Sequence, residues 1–385
     1  LIAPAGLGGL SVVHVVRQFA PSVGGLEDAV LNLARQQARR GLAPRVVTLD
    51  RLFTDRRHVL PEHDNVSGIP VRRLPWKGSS RYPLAPSVLA EIAHADLVHV
   101  HGIDFFFDYL AAARPWHRRP MVASTHGGFF HTQFGAGLKR IWFRNITKAS
   151  ARAYGAVIAC SENDAAVFAM LDLPYLTTIE NGIDLAKFVQ PGGQARARHR
   201  IVTFGRFAAH KRIAALFDIL ARLLKQENDW CLVVAGSPAD QDVASLRQAA
   251  ESAGVAGHVR FHLAPTDAEI ASELAGATWF ACASAHEGFG LAAVEAASAG
   301  LIPLLSDIPP FQRLVRRLGD GVIFDPASPL AAAEAIRASA QRGMLAMRGD
   351  AVQVAAQAYD WRGAADRHLD VYADVLARAG QRAAA

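Results

Sequence analysis

Ala285-His286-Glu287-Gly288-Phe289-Gly290-Leu291-Ala292-Ala293-Val294-Glu295 is the stretch on which the reading of this 385-residue chain turns. It follows an apolar, strand-like run from Thr278 to Ser284 and opens a helix-like run from Leu291 to Ala299. Strand, glycine turn and helix in that order form the repeating unit of a parallel sheet wrapped by helices. The turn glycines let backbone approach a ligand closely, and the helix start offers unpaired N–H groups to an anion. Glu287 stands in the turn, and Glu295 follows in the first turns of the helix. An ordinary strand–turn–helix with surface glutamates is the plain alternative.

The same alternation extends through the whole chain. Apolar strand-like runs fall near Val12–Arg17, Arg45–Leu49, Leu97–His101, Met121–Thr125, Ala156–Ala159 and Leu176–Ile179. A second set falls near Ile201–Phe204, Cys231–Ala235, Val259–His262, Thr278–Ala283, Ile302–Ser306 and Val322–Phe324. Between them lies Gln190-Pro191-Gly192-Gly193-Gln194-Ala195-Arg196-Ala197-Arg198, polar and full of breakers. The expected fold is therefore α/β, with two Rossmann-like domains facing across a cleft that is the default ligand site. The boundaries read as 1–190, a linker 191–199, 200–360, and a C-terminal helix in 361–385 that packs back toward the first domain. A chain of this length exceeds one comfortable core, which agrees with two domains.

Composition narrows the classes. Half the residues are apolar, but no run approaches the ~20 needed to span a bilayer. Leu1 to Val13 is apolar, yet Pro4 and glycines break it and no basic segment leads it, so it does not read as a secretory signal. Leu1 in place of Met points to a trimmed or alternatively started chain. Cys160, Cys231 and Cys282 are scattered among strand-like runs and form neither a disulfide framework nor a metal site. They read as core residues in a reduced cytoplasm.

The net charge of +6 sits wholly in residues 1–195, and Tyr109 to Ser161 contains no acid at all. Arg140, Arg144, Lys148 and Arg152 recur every four residues and would form one stripe on a helix, with Lys139 and Trp142 beside them. A basic face with aromatic neighbours fits an anionic membrane surface, and a solvated helix face is the alternative. No nucleic-acid-binding motif accompanies it.

The remaining motifs also lie at strand ends. Gly24-Gly25 follows the first strand, and Ser124-Thr125-His126-Gly127-Gly128 closes another, where His126 can donate a hydrogen bond to a ligand. After strand Ile201–Phe204 come Gly205-Arg206 and, five positions beyond the arginine, Lys211. A guanidinium fork and a flexible ammonium there could converge on one diphosphate. Glu287 and Glu295 would then bond hydroxyl-rich groups on either side, which is the layout of a sugar nucleotide.

With Asn181-Gly182-Ile183-Asp184 added, this ordered set resembles the retaining glycosyltransferases of family 4, which have the GT-B fold. The likeness covers essentially the whole chain. The family usually reads lysine–glycine where this chain has Lys211-Arg212. Val15-Val16-Arg17-Gln18-Phe19, His101-Gly102-Ile103-Asp104-Phe105-Phe106 and Leu305-Ser306-Asp307-Ile308-Pro309-Pro310-Phe311 are similar, more narrowly, to the α-mannosyltransferases of xanthan- and acetan-type exopolysaccharide assembly. That resemblance implies a GDP-mannose donor, a cellobiosyl-diphosphopolyprenol acceptor, an α-1,3 product bond, and a peripheral place on the inner face of a bacterial plasma membrane.

It also implies roles. Arg206 and Lys211 would hold the donor diphosphate, with backbone N–H groups around Phe289, Gly290 and Leu291. Glu295 would bond the ribose and Glu287 the transferred sugar, while His126 and Gly24-Gly25 complete the sugar and phosphate pocket. Catalytic work would fall to Glu287, His126, Arg206 and Lys211. Retention would proceed by front-face transfer, not by a covalent glycosyl–carboxylate. No metal or other cofactor is expected, because Asp240-Gln241-Asp242 has a metal-binding spacing but lies in a surface-like loop. A UDP-sugar donor or a different acceptor, an epimerase on the same fold, and a non-catalytic sugar-nucleotide-binding protein are the alternatives.

Overall fold

The computed structural model describes residues 7–22, 24–80, 82–127, 142–185, 187–188 and 196–384. The chain divides into two compact units, Leu1–Gly182 with Trp361–Ala385, and Ile183–Asp360.

In the first unit the strands are β1 (Ser11–Val16), β2 (Ala43–Leu49), β3 (His63–Val66), β4 (Ile69–Leu74), β5 (Lys77–Ser79), β6 (Tyr82–Leu84), β7 (Leu97–His101), β8 (Met121–Ser124), β9 (Ala156–Ala159) and β10 (Leu176–Thr178). Eight of them form one sheet in the order β10-β9-β8-β7-β1-β2-β4-β3, parallel except for β3 against β4. β1 is central, and its Val12, Val13, Val15 and Val16 are all buried, as a strand covered on both faces requires. One face is covered by the helix Trp361–Ala384, whose Trp361, Ala364, Ala365, Leu369, Tyr372 and Val375 repeat at helical spacing against Val12, Leu97 and Val122. Strand order reverses between β1 and β7, so the loops after these two strands open a crevice at the carboxyl edge.

The second unit has β11 (Ala197–Phe207), β12 (Cys231–Pro238), β13 (Val259–Leu263), β14 (Ala277–Cys282), β15 (Ile302–Ser306) and β16 (Val322–Phe324). They form a parallel sheet in the order β13-β12-β11-β14-β15-β16, the doubly wound Rossmann arrangement with its switch point between β11 and β14. Side chains of the helix Ile213–Leu224 fill one face with Trp230 and Trp279, and those of the helix Leu291–Ser298 fill the other with Phe280 and Phe311.

Every strand-like run read from the sequence is a strand here. β3 to β6 were not foreseen: β3 is polar, and β4 carries Arg72 and Arg73. Arg73 is fully buried, bonded to the carbonyls of Pro61 and Ala20 and to Asp64. A satisfied buried arginine hides a strand from any reading by apolar pattern. β11 also begins earlier than the sequence indicated, inside the stretch read as linker 191–199, because Ala197 N–H bonds the Gly276 carbonyl and pairs with Ala277. Among the three cysteines, Cys160 and Cys282 are buried and Cys231 is half-buried, all as free thiols.

The basic stripe is described only in part. Lys139 and Arg140 lie outside the described residues. Beyond them, Phe143–Thr147 is a π-helical turn that leads into the helix Lys148–Ala151. Phe143, Thr147 and Ser150 point inward, Lys148 is half-buried, and Trp142, Arg144, Ile146 and Arg152 are exposed. Asp108 ties the segment to the helix Phe105–Ala112 by accepting from Ser150 Oγ at 2.7 Å and from Tyr82 OH at 3.2 Å.

Candidate functional site

The switch point of the second unit brings two loops together. β11 ends in Gly205-Arg206-Phe207 and runs through a short 3-10 turn, Ala209–Lys211, into the helix Ile213–Leu224. β14 runs through Ser284-Ala285-His286-Glu287 into the helix Leu291–Ser298. Ala285 N–H donates to the His210 carbonyl at 2.7 Å, and the His210 and His286 rings stack with centroids 4.7 Å apart. The two loops are therefore joined directly.

Their charged groups meet across this junction. Lys211 Nζ lies 2.5 Å from Glu287 Oε1, and Ser284 Oγ donates to the same oxygen at 2.8 Å. Ser284 is held in turn by Ser306 Oγ, which donates to its carbonyl at 2.6 Å. Glu287 Oε2 takes no hydrogen bond from the described residues. Burial, and the positive Lys211 beside it, push the His210 imidazole below its ordinary pKa, so it stays neutral next to this pair.

Two glycines are sterically required. Gly290 sits at φ +87° as the residue before the helix, and a Cβ there would meet the Phe311 ring at 2.6 Å. Gly236 of β12 stands opposite Gly205 of β11, and a Cβ on it would fall 1.8 Å from the Gly205 carbonyl oxygen. The helix after Gly290 has no side-chain cap, so its first N–H groups remain aimed at whatever lies beyond its end. Phe289 packs edge-on against Tyr359 at 5.5 Å.

Glu295 is oriented by a residue the sequence analysis passed over. Lys187 Nζ lies 3.3 Å from Glu295 Oε1 and 3.5 Å from Asp267 Oδ1. The signal was present three positions after the Asn181-Gly182-Ile183-Asp184 motif. Arg206 is exposed on the last residues of β11, while Lys211 is committed to Glu287, so the structure does not bring the two cations together through a shared protein anion. Asp240 and Asp242 both serve the backbone: Asp240 Oδ1 accepts from Ala209 N–H at 2.9 Å, and Asp242 Oδ1 caps the helix Val243–Ser252 through Ser245 N–H at 2.6 Å.

In the first unit, Gly24 is extended and precedes the helix Gly25–Arg39, where a Cβ would meet only the flexible Glu27 carboxylate. His126 stands just beyond β8 at φ +50°, a left-handed conformation costly for a side chain with a Cβ. Its neighbours on both sides are hydrogen-bonded to one carboxylate. Asp164 Oδ2 accepts from Thr125 Oγ1 at 2.6 Å and from Gly127 N–H at 2.9 Å, on either side of the histidine. His126 Nε2 meets His101 Nδ1 at 2.9 Å, while its Nδ1 is buried with no hydrogen-bond partner among the described residues. Burial lowers its pKa to about 3, so the ring is neutral.

Comparison with known proteins agrees with this geometry. Residues 23–187 match the model Glycosyltransferase Family 4, and residues 188–348 match Glycosyl transferases group 1. The GDP-mannose:cellobiosyl-diphosphopolyprenol alpha-mannosyltransferase of Xanthomonas oryzae pv. oryzae is 46% identical over 371 residues, covering 95% of this chain and 97% of its own. The enzyme of the same name from Komagataeibacter xylinus is 47% identical over 374 residues, covering 96% and 94%. Among solved structures, a sucrose-phosphate synthase from Thermosynechococcus elongatus superposes with a TM-score of 0.77 at 20% identity, over 96% of this chain and 100% of its own. A protein of Anabaena solved with UDP and glucose gives 0.72 at 19% identity, over 94% and 99%. Those two likenesses carry the fold, and the full-length identities carry the family. With its glycine turns, switch-point carboxylates and paired Rossmann-like domains, the chain belongs to the retaining glycosyltransferases of family 4, on the GT-B fold.

Proposed function

We propose that this chain transfers α-mannose from GDP-mannose to cellobiosyl-diphosphopolyprenol with retention, forming an α-1,3 bond in exopolysaccharide assembly. The donor and acceptor rest on the near-full-length identity to enzymes named for them. The chemistry rests on the Lys211–Glu287 pair, which sits at the switch point beside an uncapped helix start.

In this reading Arg206 and Lys211 take the donor diphosphate, joined by the backbone N–H groups of Phe289, Gly290 and Leu291. Charge that develops on the departing GDP is met by groups already in place. Glu295 accepts from the ribose hydroxyls, and Glu287 turns Oε2 to the hydroxyls of mannose. The bond from C1 to the phosphate oxygen breaks, and the acceptor oxygen bonds C1 on the same face. The acceptor proton passes to a phosphate oxygen of GDP. A carboxylate already held by an ammonium and a hydroxyl is a poor nucleophile, which favours this route over a glycosyl–Glu287 intermediate. Mass spectrometry of the intact protein during turnover would expose such an adduct and so remove the front-face route.

The diphosphate has two protein cations and a helix end, so the reading needs no metal or other cofactor. Full transfer in EDTA is expected, and a loss restored by Mn²⁺ or Mg²⁺ would overturn it. The exposed Trp142, Ile146, Arg144 and Arg152 are assigned to an anionic membrane surface on the cytoplasmic side, and no nucleic-acid partner is assigned. Among the described residues, no helix is long and apolar enough to cross a membrane. Reversing Arg144 and Lys148 to glutamate should reduce co-sedimentation with anionic vesicles. The donor assignment is tested by ligand-linked stability: GDP should raise Tm and UDP should not.

A further inference from the structure

Neighbouring strands β7, β1, β2 and β4 of the first unit run parallel and so end at one edge of the sheet. Past those ends stand charged and aromatic residues that the transfer chemistry leaves unused. Asp104 follows β7, Arg17 follows β1, Arg51 and Arg56 follow β2, and Trp76 follows β4.

Hydrogen bonds and ring contacts join these loops into one cluster. Gln18 is buried, its Nε2 donates to the Arg51 carbonyl at 3.1 Å, and its Oε1 accepts from Phe53 N–H at 2.9 Å. Phe53 packs edge-on against Trp76 with centroids 5.5 Å apart. The guanidinium carbon of Arg17 lies 5.9 Å from the Phe53 centroid, and those of Arg51 and Arg56 lie 5.6 and 4.8 Å from the Trp76 centroid. Attraction to the ring faces offsets part of the repulsion among the guanidinium groups.

The N–H groups of these arginines are unequally engaged. Arg51 Nε donates to Asp50 Oδ1 at 3.0 Å and Nη2 to the Trp76 carbonyl at 2.8 Å, which ties the β2 loop to the β4 loop. Arg17 has a side chain 42% exposed and makes no side-chain hydrogen bond among the described residues; Asp104 Oδ2 stands 4.0 Å from its Nε. Asp104 is itself held in place, since its Oδ1 accepts from Phe106 N–H at 2.9 Å. Arg56 is exposed and bonds the Gly78 carbonyl at 3.5 Å, with no carboxylate paired to it among the described residues. Asp55, in the same loop, accepts instead from the backbone N–H groups of Arg57 and His58 at 3.1 and 3.4 Å.

A guanidinium resting on a ring keeps its N–H fork at the edge, and that fork matches the oxygens of a phosphate. Arg17 and Arg56 offer two such forks, one on each ring of a touching pair, which suits an anion with two phosphoryl groups. Trp76 is buried, so its ring gives no open platform on which a sugar could stack.

We propose that Arg17 and Arg56 bind the diphosphate of the lipid-linked acceptor, with Gln18 and Arg51 as positioning residues that hold the β2 loop beneath them. The assignment deepens the reading of this chain as a transferase to a diphosphate-linked lipid and rests on it for the identity of the acceptor. The donor diphosphate has its own cations, Arg206 and Lys211, in the second unit.

Calorimetric titration with farnesyl diphosphate in excess GDP tests the site without transfer and without the acceptor sugar. Wild type should bind farnesyl diphosphate about tenfold more tightly than farnesyl monophosphate, with an affinity that falls as salt is added. Arg17→Gln and Arg56→Gln should each weaken binding about tenfold, and Arg17→Lys and Arg56→Lys, which keep the charge without the fork, should weaken it less. GDP affinity should match wild type in all four. Unchanged affinity for farnesyl diphosphate in the Gln variants would overturn the site, and a loss of their co-sedimentation with phosphatidylglycerol vesicles would then assign the arginines to lipid headgroups. Kinetics separates the site from the reading beneath it. Acceptor KM for a cellobiosyl-diphosphate-lipid should rise about tenfold in Arg17→Gln while KM for GDP-mannose stays put; an unmoved acceptor KM would remove the site and keep the transferase reading. Farnesyl diphosphate binding that depends on the arginines, in a wild type that transfers nothing to the cellobiosyl lipid, would keep the site and remove that reading.

Discussion

The Lys211 ammonium is held 2.5 Å from Oε1 of Glu287, across two loops that a backbone bond already staples together. The ammonium proposed to take the donor diphosphate is thereby paired with the carboxylate proposed to meet the sugar. In that proposal donor binding trades part of this pair for phosphate, which couples the two groups. Lys211→Met should lower kcat about a hundred- to a thousandfold, the scale seen when a charge-stabilising donor is removed from a site. Adding Glu287→Gln should cost less than the product of the single losses. Steady-state kinetics on the double-mutant cycle check this, and strict additivity would separate the two roles.

Asp164 makes a second prediction. Its Oδ2 bonds both Thr125 Oγ1 and Gly127 N–H, on either side of the left-handed His126. Asp164→Ala should cost about 2 kcal/mol of stability and reduce kcat/KM about tenfold, while Asp164→Asn keeps an acceptor and recovers part of both. Thermal unfolding and kinetics on the pair of variants check it.

Arg212 is the position where the chain departs from its family's lysine–glycine pair, and the structure puts it at φ +47°. Glycine reaches that conformation without steric cost, and Arg212 is exposed at the start of the helix Ile213–Leu224. Arg212→Gly should stabilise the protein by about 1 kcal/mol, or about 2 °C in Tm. Calorimetry decides it, and a fall in Tm would mean that the arginine makes a contact worth more than its backbone strain.

The buried histidines make the first unit acid-sensitive. His14 and His368 are lowered to about 4 and His126 to about 3, with His99 and His101 also lowered, all chiefly by burial. A folded pKa below the unfolded one near 6.5 means that the unfolded chain takes up protons first as pH falls. Stability is full above that value and is lost below it. All five rings act in that direction between pH 7.5 and 5.5. Asp104 works in the opposite sense, because burial raises its pKa to about 6, so the folded state gains protons there and recovers about 1 kcal/mol. The net effect of acidification over this range is destabilising. Urea titrations at pH 7.5 and 5.5 should show the midpoint collapsing, and an unchanged midpoint would contradict the burial of these rings.

The sequence made the architecture legible because its strands are apolar runs ended by glycine turns, and both units are built from that one unit. Glu287, Glu295 and Lys211 were legible for the same reason, since their spacing from the turn is fixed by the strand–helix junction. What escaped was polar and long-range. Lys187 reaches Glu295 over 108 positions, Gln37 and Tyr372 bond over 335, and Arg73 is buried inside a strand. No periodicity marks a side chain whose partner is supplied by another element.

Donor and acceptor are decided together by giving the purified chain a cellobiosyl-diphosphate-lipid and, separately, GDP-mannose, UDP-glucose, UDP-N-acetylglucosamine and GDP-fucose, with the products weighed by mass spectrometry. One hexose added from GDP-mannose alone, with the α-linkage seen by NMR, is the predicted result. Transfer only from a UDP-sugar would keep the fold and the Lys211–Glu287 site and contradict the mannosyl assignment.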